Sequence, residues 1–145
     1  MGAAYPQVPE IFVQARKKLR EHILHWGYVD NQQVYYRWLG QGDIVISTSR
    51  QDFYGISVLE AVYAGCWPLL PNRLAFPEHI PEDFQPMCLF EKDEELGFAI
   101  KRCCQKLDQL QKLHSKLKEW IRAYDVNQVN LQYQVLFDQL SSFSG

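Results

Sequence analysis

Apolar residues recur three and four apart near both ends of the chain and crowd into short runs between. Ile11, Phe12, Ala15 and Leu19 fall at helical spacing and predict an amphipathic first helix within residues 8 to 22. It leads into Ile23-Leu24-His25-Trp26-Gly27-Tyr28-Val29, which reads as a short strand and its exit. Asp30 or Asn31 can cap a second helix from Gln32 to Leu39, which Gly40 and Gly42 stop. Asp43-Ile44-Val45-Ile46-Ser47-Thr48 is the apolar, β-branched run expected of a strand buried on both faces. A helix follows from about Ile56 to Ala64, with Gly65 suited to the left-handed position that ends it. Trp67 to Leu70 predicts the next strand, with Pro68 near its start and Pro71 at its end, and Met87 to Phe90 the last.

Beyond Asp93 the pattern is helical only. Leu107, Leu110, Leu113, Leu117, Trp120, Ile121 and Tyr124 make one apolar stripe. A break near Asp125-Val126-Asn127 precedes a final helix carrying Leu131, Val135 and Leu136. Strands alternating with helices imply an α/β fold: a Rossmann-like parallel sheet with right-handed crossovers, followed by a helical C-terminal tail. The division falls between residues 1–92, the sheet-bearing part, and residues 93–145, helices packed on it.

A chain of 145 residues holds one core and is too short for two ordinary domains. At 47% hydrophobic, 22% charged and a net charge of −2, its composition is that of a soluble globular protein with no overall bias toward nucleic acid or membrane. No run of about eighteen apolar residues suggests a membrane span. Met1-Gly2-Ala3-Ala4-Tyr5-Pro6 has neither the basic start nor the apolar centre of a signal peptide, and Pro6 replaces the Ser or Thr that myristoylation wants. Cys66, Cys88, Cys103 and Cys104 form no C-x-x-C pair and read as structural thiols in a reducing, cytoplasmic compartment.

The chemistry concentrates between the strand at Asp43 and Glu78. A helix opening at Gly55 presents unpaired N–H groups and a partial positive charge, which suits a phosphate or diphosphate above the sheet edge. Gly55 permits close approach, and Phe53 and Tyr54 can flank the ligand. Glu60 lies between Leu59 and Ala61 on an otherwise apolar helix; it is either an exposed acid favoured by the helix dipole or a carboxylate placed to clamp the two hydroxyls of a ribose. Asp52, just before the helix, can reach a sugar hydroxyl of the same ligand. Arg73 can offset phosphate charge or form a surface ion pair, and Glu78 can contact the ligand or cap the segment after it. His25 and His79 stand alone and read as structural, and no cluster of His, Cys, Asp and Glu has metal-ligand spacing.

The segment Asp52-Phe53-Tyr54-Gly55-Ile56-Ser57-Val58-Leu59-Glu60-Ala61 resembles the E-x7-E signature of retaining GT-B glycosyltransferases of family 4. Trp26-Gly27-Tyr28-Val29 is similar to a segment of their nucleotide-binding half. The nearer likeness is to the tRNA-queuosine mannosyltransferase branch, through Glu60-Ala61-Val62-Tyr63-Ala64-Gly65-Cys66 and Pro68-Leu69-Leu70-Pro71-Asn72-Arg73-Leu74. The resemblance runs from about His25 to Pro81. It implies that Glu60 binds the ribose of a nucleotide sugar, Asp52 contacts the donor sugar, and the Tyr54-Gly55-Ile56 backbone receives the diphosphate. Gly27 and Tyr28 would lie near the base, with Phe53, Arg73 and Glu78 also facing the ligand. The donor implied is GDP-mannose, used as substrate with no further cofactor and no metal, and the acceptor is queuosine in tRNA.

Two departures from the family pattern stand out. Asp52 occupies the place of a glutamate, one methylene shorter, and the acceptor-binding half is missing along with earlier strands of the donor half. The expectation is therefore an incomplete C-terminal half of a GT-B fold, a piece of a longer enzyme that needs its N-terminal domain in cis or in trans and is inactive by itself. Two other readings stay open. One is a non-catalytic interaction module, whose Lys101, Arg102, Lys106, Lys112, Lys116, Lys118 and Arg122 face tRNA phosphates or simply solvent. The other is a family-4 enzyme acting on a glycan or glycolipid.

Overall fold

The computed structural model describes residues 8–51 and 55–122. The chain divides into two compact units, Met1–Tyr35 and Tyr36–Gly145. In the first, α1 (Glu10–Lys18) has its acid in the first turn and Arg16, Lys17 and Lys18 in the last, complementing the helix dipole. A 3₁₀ turn over Arg20–His22 follows. None of the described residues of this unit is buried, and Ile11 is 71% exposed, so the spacing that predicts an apolar face is met by no core here.

The strand expected at Ile23 to Val29 is not formed. A strand persists only where a neighbour completes its hydrogen-bond ladder, and no described residue pairs with this segment. Instead the backbone swings through Gly27 at φ +104°, where the His25 ring donates to the Gly27 carbonyl over 3.2 Å. Helix α2 (Gln32–Leu39) begins as predicted, the Asn31 side chain accepting from the Val34 N–H at 3.1 Å.

The second unit holds the core. Strands β1 (Ile44–Ile46), β2 (Trp67–Pro71) and β3 (Leu89–Phe90) form a parallel sheet in the order β1-β2-β3. Ile44 pairs with Trp67 and Leu70 with Leu89. The expected two-sided burial belongs to β2, all of whose residues are buried, and not to the 43–48 run. That run contributes an outer strand of the sheet, half-buried with Ile46 exposed. Two prolines are tolerated in the middle strand because of where their missing N–H groups fall. Trp67 and Leu69 bond toward β1, through Asp43 and Ser47, while Asn72 bonds toward β3 at Phe90. Pro68 therefore faces the β3 side two residues before pairing starts at Leu70, and Pro71 faces the β1 side beyond Ser47.

The last strand is shorter than predicted. Met87 and Cys88 belong to a helical turn, α4 (Gln85–Cys88), with Pro86 in its first turn where no donor is required. Helix α3 (Ile56–Ala64) crosses from β1 to β2, and Gly65 ends it at φ +129°. After β3 come α5 (Leu96–Gln105) and α6 (Leu107–Ile121). Helix α6 packs on α3 and β2 through buried Leu110, Leu117 and Ile121, and the His114 ring donates to the Val62 carbonyl at 2.8 Å. Trp120, placed in the same stripe by spacing, is exposed, while Tyr124 and the predicted final helix lie outside the described residues. No helix among the described residues is long and apolar enough to cross a membrane.

Cys66, Cys88 and Cys103 are buried and Cys104 is exposed. Burial pushes the Cys66, Cys88 and Cys103 thiols up, away from the reactive thiolate. Titration of the native chain with a thiol-reactive disulfide is thus expected to modify Cys104 first. The other three should react at the rate of unfolding, and a second fast-reacting thiol would show the core to be open.

Candidate functional site

Because α3 connects two parallel strands, its N-terminal end lies at the carboxyl edge of the sheet, the edge where open α/β folds bind ligands. Gly55, immediately before α3, sits in the left-handed region at φ +59°, and its carbonyl accepts from the N–H groups of both Val58 and Leu59. A Cβ added there would come within 2.9 Å of the Phe76 ring and 3.7 Å of His79. Glycine is therefore required here by packing and backbone conformation, independently of any ligand. Asp52, Phe53 and Tyr54 lie outside the described residues.

Glu60 occupies the second turn of α3 and is half-buried. The Tyr36 hydroxyl, from the C-terminal half of α2, donates to its Oε1 at 3.3 Å. Sequence reading missed Tyr36, since nothing local relates residues 24 positions apart.

Arg73 follows β2 and turns onto neighbouring loops of the same edge. Its Nε donates to the Ser49 carbonyl at 3.2 Å and its Nη2 to the Thr48 carbonyl at 3.3 Å, both just after β1. Nη1 and Nη2 each lie 3.2 Å from Asp93 Oδ1, just after β3. Arg50 reaches the other oxygen of the same carboxylate at 3.3 Å. Hydrogen bonds from Arg73 and then Arg50 hold the Asp93 carboxyl below the usual carboxylate range. Asp93 is a second residue that sequence reading passed over, marked only by its place ahead of the helical tail.

Glu78 is exposed in a 3₁₀ turn over Phe76–His79, and His79 is buried beside Gly55. In the first unit, Gly27 is exposed in its turn and Tyr28 is exposed after it. A hollow of about 510 Å³ there is lined by Arg16, Lys17, Arg20, His25 and Trp26, and by none of the sheet-edge residues. The basic residues of the tail are partly engaged: Arg102 donates to the Pro86 carbonyl at 3.3 Å, and the Lys118 ammonium lies 4.4 Å from the Tyr63 ring centre.

No family model matches the chain. The chain is 38% identical over 82 residues to the tRNA-queuosine alpha-mannosyltransferase of Drosophila melanogaster. The matching stretch takes up 57% of this chain and 22% of that relative, so the chain corresponds to about a fifth of the relative's length. A region of this chain is thereby related to part of a glycosyltransferase.

Proposed function

We propose that the chain is the nucleotide-sugar-binding part of a retaining glycosyltransferase that moves mannose from GDP-mannose to queuosine in tRNA. The observation that carries the reading is the 82-residue similarity to a mannosyltransferase, in a chain with a carboxylate on the helix that opens at the carboxyl edge of a parallel sheet. In this reading Glu60 accepts from the ribose hydroxyls, and Asp52 contacts the donor sugar. The backbone from Tyr54 to Ile56, at the positive end of α3, takes the diphosphate. Amides fixed at a helix start stabilise the departing nucleoside diphosphate without reorganising, which lowers the barrier to bond cleavage. The acceptor is brought by the remainder of a longer protein, and holding two substrates in register supplies much of the rate.

Calorimetric titration of the 145-residue chain with GDP, against UDP, tests this. Saturable binding that favours GDP is expected. Hydrogen bonds to a charged group contribute about 1.5–3 kcal/mol each, so Glu60→Ala should weaken GDP roughly ten- to a hundredfold. Tyr36→Phe, which leaves the carboxylate in place, should lose far less. Absence of saturable binding to either nucleotide would remove the reading for this chain.

A further inference from the structure

We infer that Arg73 is a positioning residue for the loop leading from β1 into α3, and that Asp93 holds it to that task. The inference rests on the reading that this loop and the start of α3 receive the donor. It assigns Arg73 a role other than neutralising phosphate charge.

The argument begins from the arginine fork. A guanidinium offers five N–H donors in one plane, enough to serve two carbonyls and a carboxylate together, which a lysine ammonium cannot do in the same geometry. Arg73 uses this capacity on two loops while standing in a third. It bonds the Ser49 and Thr48 carbonyls after β1 and the Asp93 carboxylate after β3, while its own backbone follows β2. The carboxyl ends of all three strands are thus tied through one side chain.

The tied segment is also folded from within. The Ser47 hydroxyl accepts from the Ser49 N–H and the Ser49 hydroxyl from the Gln51 N–H, each at 3.3 Å. Residues 47 to 51 carry the chain on from β1, and two of their carbonyls, those of Thr48 and Ser49, are fixed by the one guanidinium. Arg50, in the same segment, bonds the far oxygen of Asp93 and closes the ring of contacts. The Arg50 and Asp93 side chains are 81% and 44% exposed, and exposed ion pairs add little to stability. What the network provides is geometry, so its loss should appear in ligand affinity and loop opening before it appears in the melting temperature.

The two roles open to Arg73 predict opposite results for Asp93→Asn. If the guanidinium gripped phosphate, removing the carboxylate would release it and leave GDP bound as tightly or more tightly. As a positioning device it loses its anchor, and GDP affinity should fall about tenfold, with Arg73→Lys falling as far, Asp93→Glu restoring most of it, and melting temperatures nearly unchanged. GDP held equally or more tightly by Asp93→Asn would overturn the inference.

Amide exchange of the unliganded chain separates this outcome from failure of the donor reading itself. Exchange at Ser49, Arg50 and Gln51 should quicken at least tenfold in Arg73→Lys and Asp93→Asn. Unchanged exchange there would overturn the positioning role whether or not GDP binds. Absence of GDP binding by the unaltered chain, with the exchange effect intact, would sink the donor reading alone.

Discussion

Leu117→Ala is expected to remove a large share of the stability of the second unit, about 2–5 kcal/mol, the range for truncating a fully buried leucine. Leu117 is fully buried on α6, the helix that packs on both α3 and β2, and so fills the space between tail and sheet. The loss combines the apolar surface no longer withdrawn from water with the cavity left when close-packed neighbours relax only in part. Trp120 is the natural control. It sits three residues further along the same predicted stripe but is 48% exposed, and Trp120→Ala should change stability far less. Urea unfolding followed by circular dichroism measures both. Equal effects would mean that α6 meets the core on a different face from the one Leu110, Leu117 and Ile121 define.

Those two residues also show what periodicity can and cannot convey. Helical spacing made Leu117 and Trp120 members of one stripe, yet the buried arc is narrower, because among the described residues α6 meets other elements along one side. The same limit governs the strands. The β-branched run at 44–46 identified a strand correctly, but edge or centre is decided by the order β1-β2-β3, a property of partners and not of the run itself. Residues 23–29 have strand-like composition, yet no strand among the described residues forms a ladder with them, and composition cannot supply one. Met87 and Cys88 look extended by residue type but close a helical turn behind Pro86.

The site divides in the same way. Gly55 and Glu60 stand out locally, one as a glycine ahead of a helix and the other as an acid in an apolar one. Tyr36 and Asp93 acquire significance only from what the fold brings to them, the first to Glu60 and the second to Arg73. Arg73 was legible as a charge near the sheet edge, but its direction depends on loops more than twenty residues earlier in the chain and twenty later.

Gly55→Ala should combine a stability loss with a disturbed ligand site, and its two physical causes can be separated. The backbone at φ +59° disfavours any residue with a Cβ, by roughly 1–2 kcal/mol. The added methyl would also press on buried Phe76 at 2.9 Å from Cε1, and overfilling a packed core costs about 1–3 kcal/mol more. Phe76→Leu by itself leaves a cavity and destabilises. Combined with Gly55→Ala it gives the methyl room, so the double variant should be more stable than the sum of the single losses predicts, leaving mainly the backbone part. Residues in contact show such coupling of about 0.5–3 kcal/mol, well within the reach of chemical unfolding. Strict additivity would mean that the methyl never meets the ring. In that case backbone conformation alone would demand glycine at the entrance to α3. Coupling would mean instead that the helix start is held by the Phe76 ring as well, so that the same contact fixing the fold also fixes the amides turned toward the proposed diphosphate.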